Sequence, residues 1–184
     1  MDRTHCIRPA MVLALAVACT CGSAARAAGK AHEHGALRLD VAVDGHTLTI
    51  AMQAPLDNLL GFERAPRTEA ERKAAADMLA RLRSPDRAPP LFAADAAAQC
   101  SLSRAEVSAP VLEPGAGAAA KDEHADLDAD YEFSCARPGE LRNLDVGLFE
   151  AYRRIQRIDV QVAGPTGQAK VTLKRPARSV RLLR

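Results

Sequence analysis

His32 and His34 flank Glu33 in the stretch Ala31-His32-Glu33-His34-Gly35. In an extended backbone, alternation sends both imidazoles to one face of the strand. Two nitrogen ligands on one face are half of a tetrahedral zinc site, so the rest of the chain must supply the other half. The plainer alternative is a solvated N-terminal lead with no metal. A second group lies further on, where His124, Asp126, Asp128, Asp130 and Glu132 alternate with Leu127, Ala129, Tyr131, Phe133 and, beyond them, Cys135. Such a polar row is either the wet face of an antiparallel sheet or, at its His124 and Asp126 end, the missing ligands. Imidazole and carboxylate suit Zn²⁺ and bind it in their deprotonated forms. The expected metal site is therefore His32, His34, His124 and Asp126.

Other chemistries lack their parts. Asp128 and Asp130 share a face, as paired glycosidase carboxylates do, but no companion motif supports that reading. The chain has no G-x-S-x-G, H-E-x-x-H, P-loop or dinucleotide fingerprint. Its serines (Ser84, Ser101, Ser103, Ser108, Ser134 and Ser179) have no evident base. A non-enzymatic protein is expected. A third metal reading is copper capture by a free N-terminus, which needs cleavage after Gly29 so that His32 becomes the third residue. Affinity order alone favours copper over zinc.

The first 27 residues read as a removable secretory leader. Arg3 and Arg8 form a basic region, Ala10 to Ala18 a short apolar one, and Ala25-Arg26-Ala27 a small-residue cleavage site. The apolar run is too short to span a membrane. Export to a bacterial periplasm is expected, with lipid anchoring at Cys19 as the alternative. Some 157 residues (28–184) then form one domain with a real core. Losing Arg3, Arg8, Arg26 and Asp2 takes 25 basic and 23 acidic residues to 22 and 22. A near-zero net charge points away from nucleic acid and from anionic membrane surfaces. Of the cysteines, Cys100 and Cys135 stay behind, and in an oxidising compartment the pair reads as one disulfide. Thiolate ligation or a redox couple is the rival reading, without C-x-x-C spacing to support it.

The elements that must hold these residues follow from periodicity. Leu37, Leu39, Val41 and Val43 alternate with polar residues, as do Leu48, Ile50 and Met52 after Asp44-Gly45. A two-residue Asp-Gly loop predicts a type I′ hairpin pairing Val43 with His46, Val41 with Leu48, Leu39 with Ile50 and Leu37 with Met52. His46 is then a turn residue roughly 30 Å from His34. Leu56 to Phe62 predicts one helical turn closed by Gly61. Thr68 and Glu71 form a capping box that opens a helix to about Arg83, with Ala75, Met78, Leu79 and Leu82 as its apolar stripe. Strands are expected from Gln99 to about Ala109, irregular near Arg104, and from Ala125 to Cys135. Glu113 to Asp122 between them is low in complexity and reads as a flexible loop. Pro138 to Tyr152 reads as a loop with short helical turns. Arg157–Val162 and Ala169–Leu173 predict a closing hairpin around Gly164-Pro-Thr-Gly167. Six strands in three hairpins, with helices between the first and second, predict a single antiparallel α+β domain.

Taken together, the His-Glu-His-Gly lead, the hairpin LRLDVAVDGHTLTI, the string APLDNLLGFERAPRTEAER, the Cys100 and Cys135 pair and the closing DVGLFEAYRRIQRIDVQVAGPTGQ resemble the ZrgA-like periplasmic zinc-binding proteins. The similarity covers essentially the whole exported chain. It implies a non-enzymatic protein that helps zinc acquisition beside a zinc transporter, with zinc itself as the ligand and His32, His34, His124 and Asp126 as the matching positions. Two departures stand out. Family members often carry a loop crowded with His, Asp and Glu where this chain has GAGAAAKDEH. They also commonly read Gly-Phe-Glu-His-x-Pro where this chain has Gly61-Phe62-Glu63-Arg64-Ala65-Pro66, and a protonated arginine cannot ligate a metal. Together they imply either a single bound ion or a retained fold with weakened metal binding. The competing function class is an envelope interaction module without a metal, using a sheet edge or the basic C-terminus.

Overall fold

The computed structural model describes residues 33–113 and 125–182. His32, His124 and most of the low-complexity loop lie outside these residues. The first hairpin pairs β1 (Ala36–Asp44) with β2 (Thr47–Pro55). Its register differs from expectation: Val43 faces Leu48, Val41 faces Ile50, and Leu39 faces Met52. The turn is Gly45-His46, and Gly45 has a φ of 55°. Only the first central residue takes positive φ, as in a II′ turn rather than the expected I′. The slip changes each pairing by two positions, so every apolar side chain keeps its face. His46 is indeed a turn residue. Its Nδ1 lies 3.0 Å from the Cys135 carbonyl oxygen, and its own carbonyl accepts the Cys135 N–H at 2.8 Å.

After Pro55 come α1 (Leu56–Leu60), closed by Gly61, and α2 (Glu69–Leu82). The capping box at Thr68 and Glu71 is formed, and Ala75, Met78 and Leu82 are buried. Glu71 also receives Arg64 at 2.7 and 3.1 Å and the Arg67 N–H at 2.6 Å. The Arg64 pairing, followed by the Arg67 bond, lowers the Glu71 pKa from its ordinary 4.5 to about 2. A depressed carboxyl stabilises the fold above its unfolded pKa and loses that contribution as pH falls through its folded one. The melting-temperature gap between the native protein and Glu71→Gln is therefore expected to be constant above pH 4.5 and to close towards pH 2. A gap that is flat across this window would show that the pairing adds nothing to stability.

The expectation of an antiparallel α+β domain is corrected by the remaining elements. The described fold is mostly β, with nine strands in two sheets and three short α-helices. The additional strands are β3 (Phe92–Ala94), β6 (Asn143–Val146) and β9 (Ser179–Arg181), which form a small sheet in the order β3-β6-β9. At three or four residues each, they are too short to show alternation. The larger sheet adds β4 (Cys100–Ser108), β5 (Asp126–Cys135), β7 (Arg157–Gly164) and β8 (Gly167–Lys174) to the first hairpin. Its order is β4-β5-β2-β1-β7-β8, and it is mixed because β1 and β7 run parallel. α3 (Leu148–Ala151) joins the two sheets.

Cys100 and Cys135 are register partners on β4 and β5 and are joined by a disulfide. The irregularity expected near Arg104 is a break in register between Leu102 and Arg104. One face of the large sheet is buried. Leu39, Ile50, Leu127, Tyr131 and Val160 on that face share a single core with Met78 and Leu82 of α2 and with Phe92, Leu144 and Val180 of the small sheet. The other face carries the polar row of β5 in the open: Asp128 and Asp130 are exposed, and Glu132 is half-buried.

Candidate metal centre

The ends of four strands and one short helix meet around His34. In the parallel pair, Ala36 lies beside Arg157, and in the antiparallel pair Pro55 lies opposite Asp126. β2 separates β1 from β5, so their ends stand two inter-strand spacings apart, roughly 10 Å. α1 leaves β2 at this same end, and the Leu56 N–H donates to the Ala125 carbonyl at 2.9 Å. His34, Asp57 and Asp126 are thereby gathered at one end of the sheet.

Three contacts fix the lead. The side chain of Asn58, 1% exposed, accepts the Gly35 N–H through Oδ1 and donates through Nδ2 to the Ala36 carbonyl, both at 2.6 Å. The Gly35 carbonyl accepts from the N–H groups of Gln156 and Arg157 at 2.7 and 2.9 Å. Gly35 adopts a φ of 81°, with the Gln156 side chain against it, a conformation that favours glycine. Glu33 is taken up by Arg157 in a two-pronged ion pair at 2.8 and 2.6 Å, which holds the Glu33 carboxyl below its ordinary pKa. Glu33 thus acts as an anchor between the two histidine positions.

His34 itself is 72% exposed, and its Nδ1 stands 3.2 Å from Oδ2 of Asp57. A carboxylate on one ring nitrogen fixes the tautomer and leaves Nε2 as the lone-pair donor, the arrangement in which histidines usually meet metals. Asp57 was missed by sequence reasoning, although it sits in the first turn of α1 inside the string APLDNLLGF. Its position only acquires meaning once the lead folds back onto the helix. Among the described residues no group of three or more His, Cys, Asp or Glu side chains is placed to hold a metal ion. The structure brings His34 and Asp126 to the same end of the sheet, while His32 and His124 fall outside the described residues. Arg64 is turned away from any ligand role: it pairs with Glu71, and its guanidinium lies 5.1 Å from the centre of the Phe62 ring.

The sequence profile of the ZrgA family zinc uptake proteins matches residues 31–182. The chain belongs to this family. The match runs from the first residue of the histidine lead to the end of the small sheet, so both sheets and the helices between them are family structure. The family's name ties the chain to zinc uptake. No curated protein shows significant similarity to it. Among the described residues no helix is long and apolar enough to cross a membrane.

Proposed function

We propose that the protein is a non-enzymatic zinc-binding accessory of the bacterial periplasm, holding Zn²⁺ at the sheet end where His34 meets Asp57. The observation that carries this reading is the His34–Asp57 pair on a backbone locked by Asn58 and Arg157, in a chain of a zinc uptake family. His34 offers Nε2 and Asp126 a carboxylate. His32 and His124 are each two residues from one of these, a tether of about 7 Å at full extension. Two imidazoles and a carboxylate beside His34 make a four-ligand zinc shell. Asp57 is assigned the orienting carboxylate behind it. The leader is assigned to export, and a zinc transporter of the envelope is the fitting partner.

The test is calorimetric titration of the chelator-stripped protein, lacking its first 27 residues, with Zn²⁺ beside His34→Ala and Asp57→Asn. Near one-to-one binding is expected, abolished in His34→Ala. Asp57→Asn keeps a hydrogen-bond acceptor but loses the charge, and is expected to weaken binding roughly 10- to 100-fold. Binding no tighter than about micromolar, or binding indifferent to both changes, would remove the metal reading.

A further inference from the structure

The large sheet ends in β4 on one side and β8 on the other, and the two edges are built differently. At β4 the ladder slips between Leu102 and Arg104, and an irregularity of this kind twists an edge away from further pairing. At β8 the ladder to β7 is unbroken, from Arg157 opposite Lys174 to Gly164 opposite Gly167. The two-residue loop between Gly164 and Gly167 makes them a hydrogen-bonded pair, and bonded and non-bonded pairs alternate from there. Gln168, Lys170, Thr172 and Lys174 therefore point their N–H and C=O groups away from β7. The Lys174 carbonyl accepts the Ala177 N–H at 2.8 Å, and among the described residues no backbone group meets the others.

The same four residues carry their side chains on the open face and are exposed, while Ala169 and Val171 are half-buried and Leu173 is buried on the core face. β8 holds two lysines and no acid. Across the ladder Lys170 faces Gln161 and Lys174 faces Arg157. Asp159, opposite Thr172, is taken by Arg157 at 3.0 Å and by the Thr172 hydroxyl at 2.8 Å. Among the described residues neither lysine has an ion-pair partner.

Lysines on an edge discourage pairing with a strand of like charge. Antiparallel self-pairing about Thr172 would set Lys170 of one copy against Lys174 of the other, twice over. An acidic strand meets opposite charge at both places. The edge thus repels its own copy and attracts an acidic partner.

We propose that β8 takes up an extended acidic segment of another protein as a seventh, antiparallel strand of the large sheet. The register sets the pattern of that segment: acid, apolar, any residue, apolar, acid. The acids lie opposite Lys170 and Lys174, and the apolar pair lies beside Val171 and Leu173. Asp126 to Asp130 of this chain has the same pattern, but β5 is locked between β2 and β4, so a second copy cannot offer it. No metal ligand takes part.

The probe is the fluorescein-labelled peptide Thr-Asp-Val-Thr-Val-Asp-Thr, added to the whole protein and followed by anisotropy. Saturable binding at roughly 100 µM or below is expected. The same peptide with lysine for both aspartates is expected to bind at least tenfold more weakly. In a Lys170→Glu/Lys174→Glu variant the preference is expected to reverse. With the aspartate peptide bound, amide exchange at Lys170 and Thr172 is expected to slow at least tenfold, while Val171 and Leu173, already bonded to β7, stay as they were. N-methylation of the two aspartates and the central threonine, which blocks the main-chain bonds, is expected to abolish binding. No saturable binding up to about 1 mM, equal binding of the two peptides, an unmoved preference in the double variant, or unchanged exchange at Lys170 and Thr172 would overturn the proposal. So would a dimer that the peptide dissociates, since the edge would then belong to a second copy.

Discussion

Asn58→Ala is expected to lower stability by about 2–4 kcal/mol and to weaken zinc binding at the same time. Among the described residues it is the one buried amide or charged side chain, and it spans two backbone groups of the lead with a donor and an acceptor at 2.6 Å each. Alanine would leave the Gly35 N–H and the Ala36 carbonyl without that partner while opening a void beneath them. Each part-buried group so stranded costs roughly 1–3 kcal/mol. The lead then has Glu33–Arg157 and the Gly35 carbonyl bonds to hold it, and His34 no longer stands against Asp57 at a fixed distance. Urea denaturation checks the stability and zinc calorimetry the site. Asp57→Asn is the informative partner: on a surface pair it is expected to change stability by no more than about 0.5 kcal/mol while still weakening zinc. If Asn58→Ala lost stability but bound zinc unchanged, the lead would not be what positions the metal.

Replacing Cys100 and Cys135 together by serine is expected to cost about 3–4 kcal/mol, since the bridge closes a loop across a sequence separation of 35. The loss should be uneven. β4 lies at the edge of the large sheet and none of its residues is fully buried. Its register is broken after Leu102, so beyond the bridge it holds to β5 by an interrupted ladder and the partly buried Leu102 and Val107. Hydrogen exchange is the measurement: residues 100–108 are expected to lose protection in the double variant before β1, β2 and β5 do. Equal loss across the whole sheet would mean that β4 is tied to the core as firmly as the central strands.

What could be read in the sequence was whatever repeats over several residues. The apolar alternation of 37–43 and 48–52 marked β1 and β2, Thr68 and Glu71 marked the start of α2, and the row from Leu127 to Cys135 separated the faces of β5. The turn at Gly45 was misplaced by one residue because a slip of two in pairing leaves every side chain on its face, so the pattern cannot distinguish the registers. β3, β6 and β9 went unseen because three or four residues carry no period. The parallel β1–β7 pair has no local signature either: Ala36 and Arg157 are brought together only by the sheet. At the candidate site the histidines were visible as residue types, but their supports were not. Asn58 looks like an ordinary polar residue of a short helix, and Asp57 like a favourable first-turn acid, until the lead packs on α1.

The parallel pairing also sets an order of events for the growing chain. β1 finds β2 within a few residues, but its other edge stays open until β7 has been made more than a hundred residues later. Long-range pairing of this kind slows folding, and an unpaired strand edge invites association in the interval. Glu33 meets Arg157 only at that last step, so the histidine lead is anchored when the sheet closes. A chain interrupted before β7 would carry the ligand residues without the support that holds them in place.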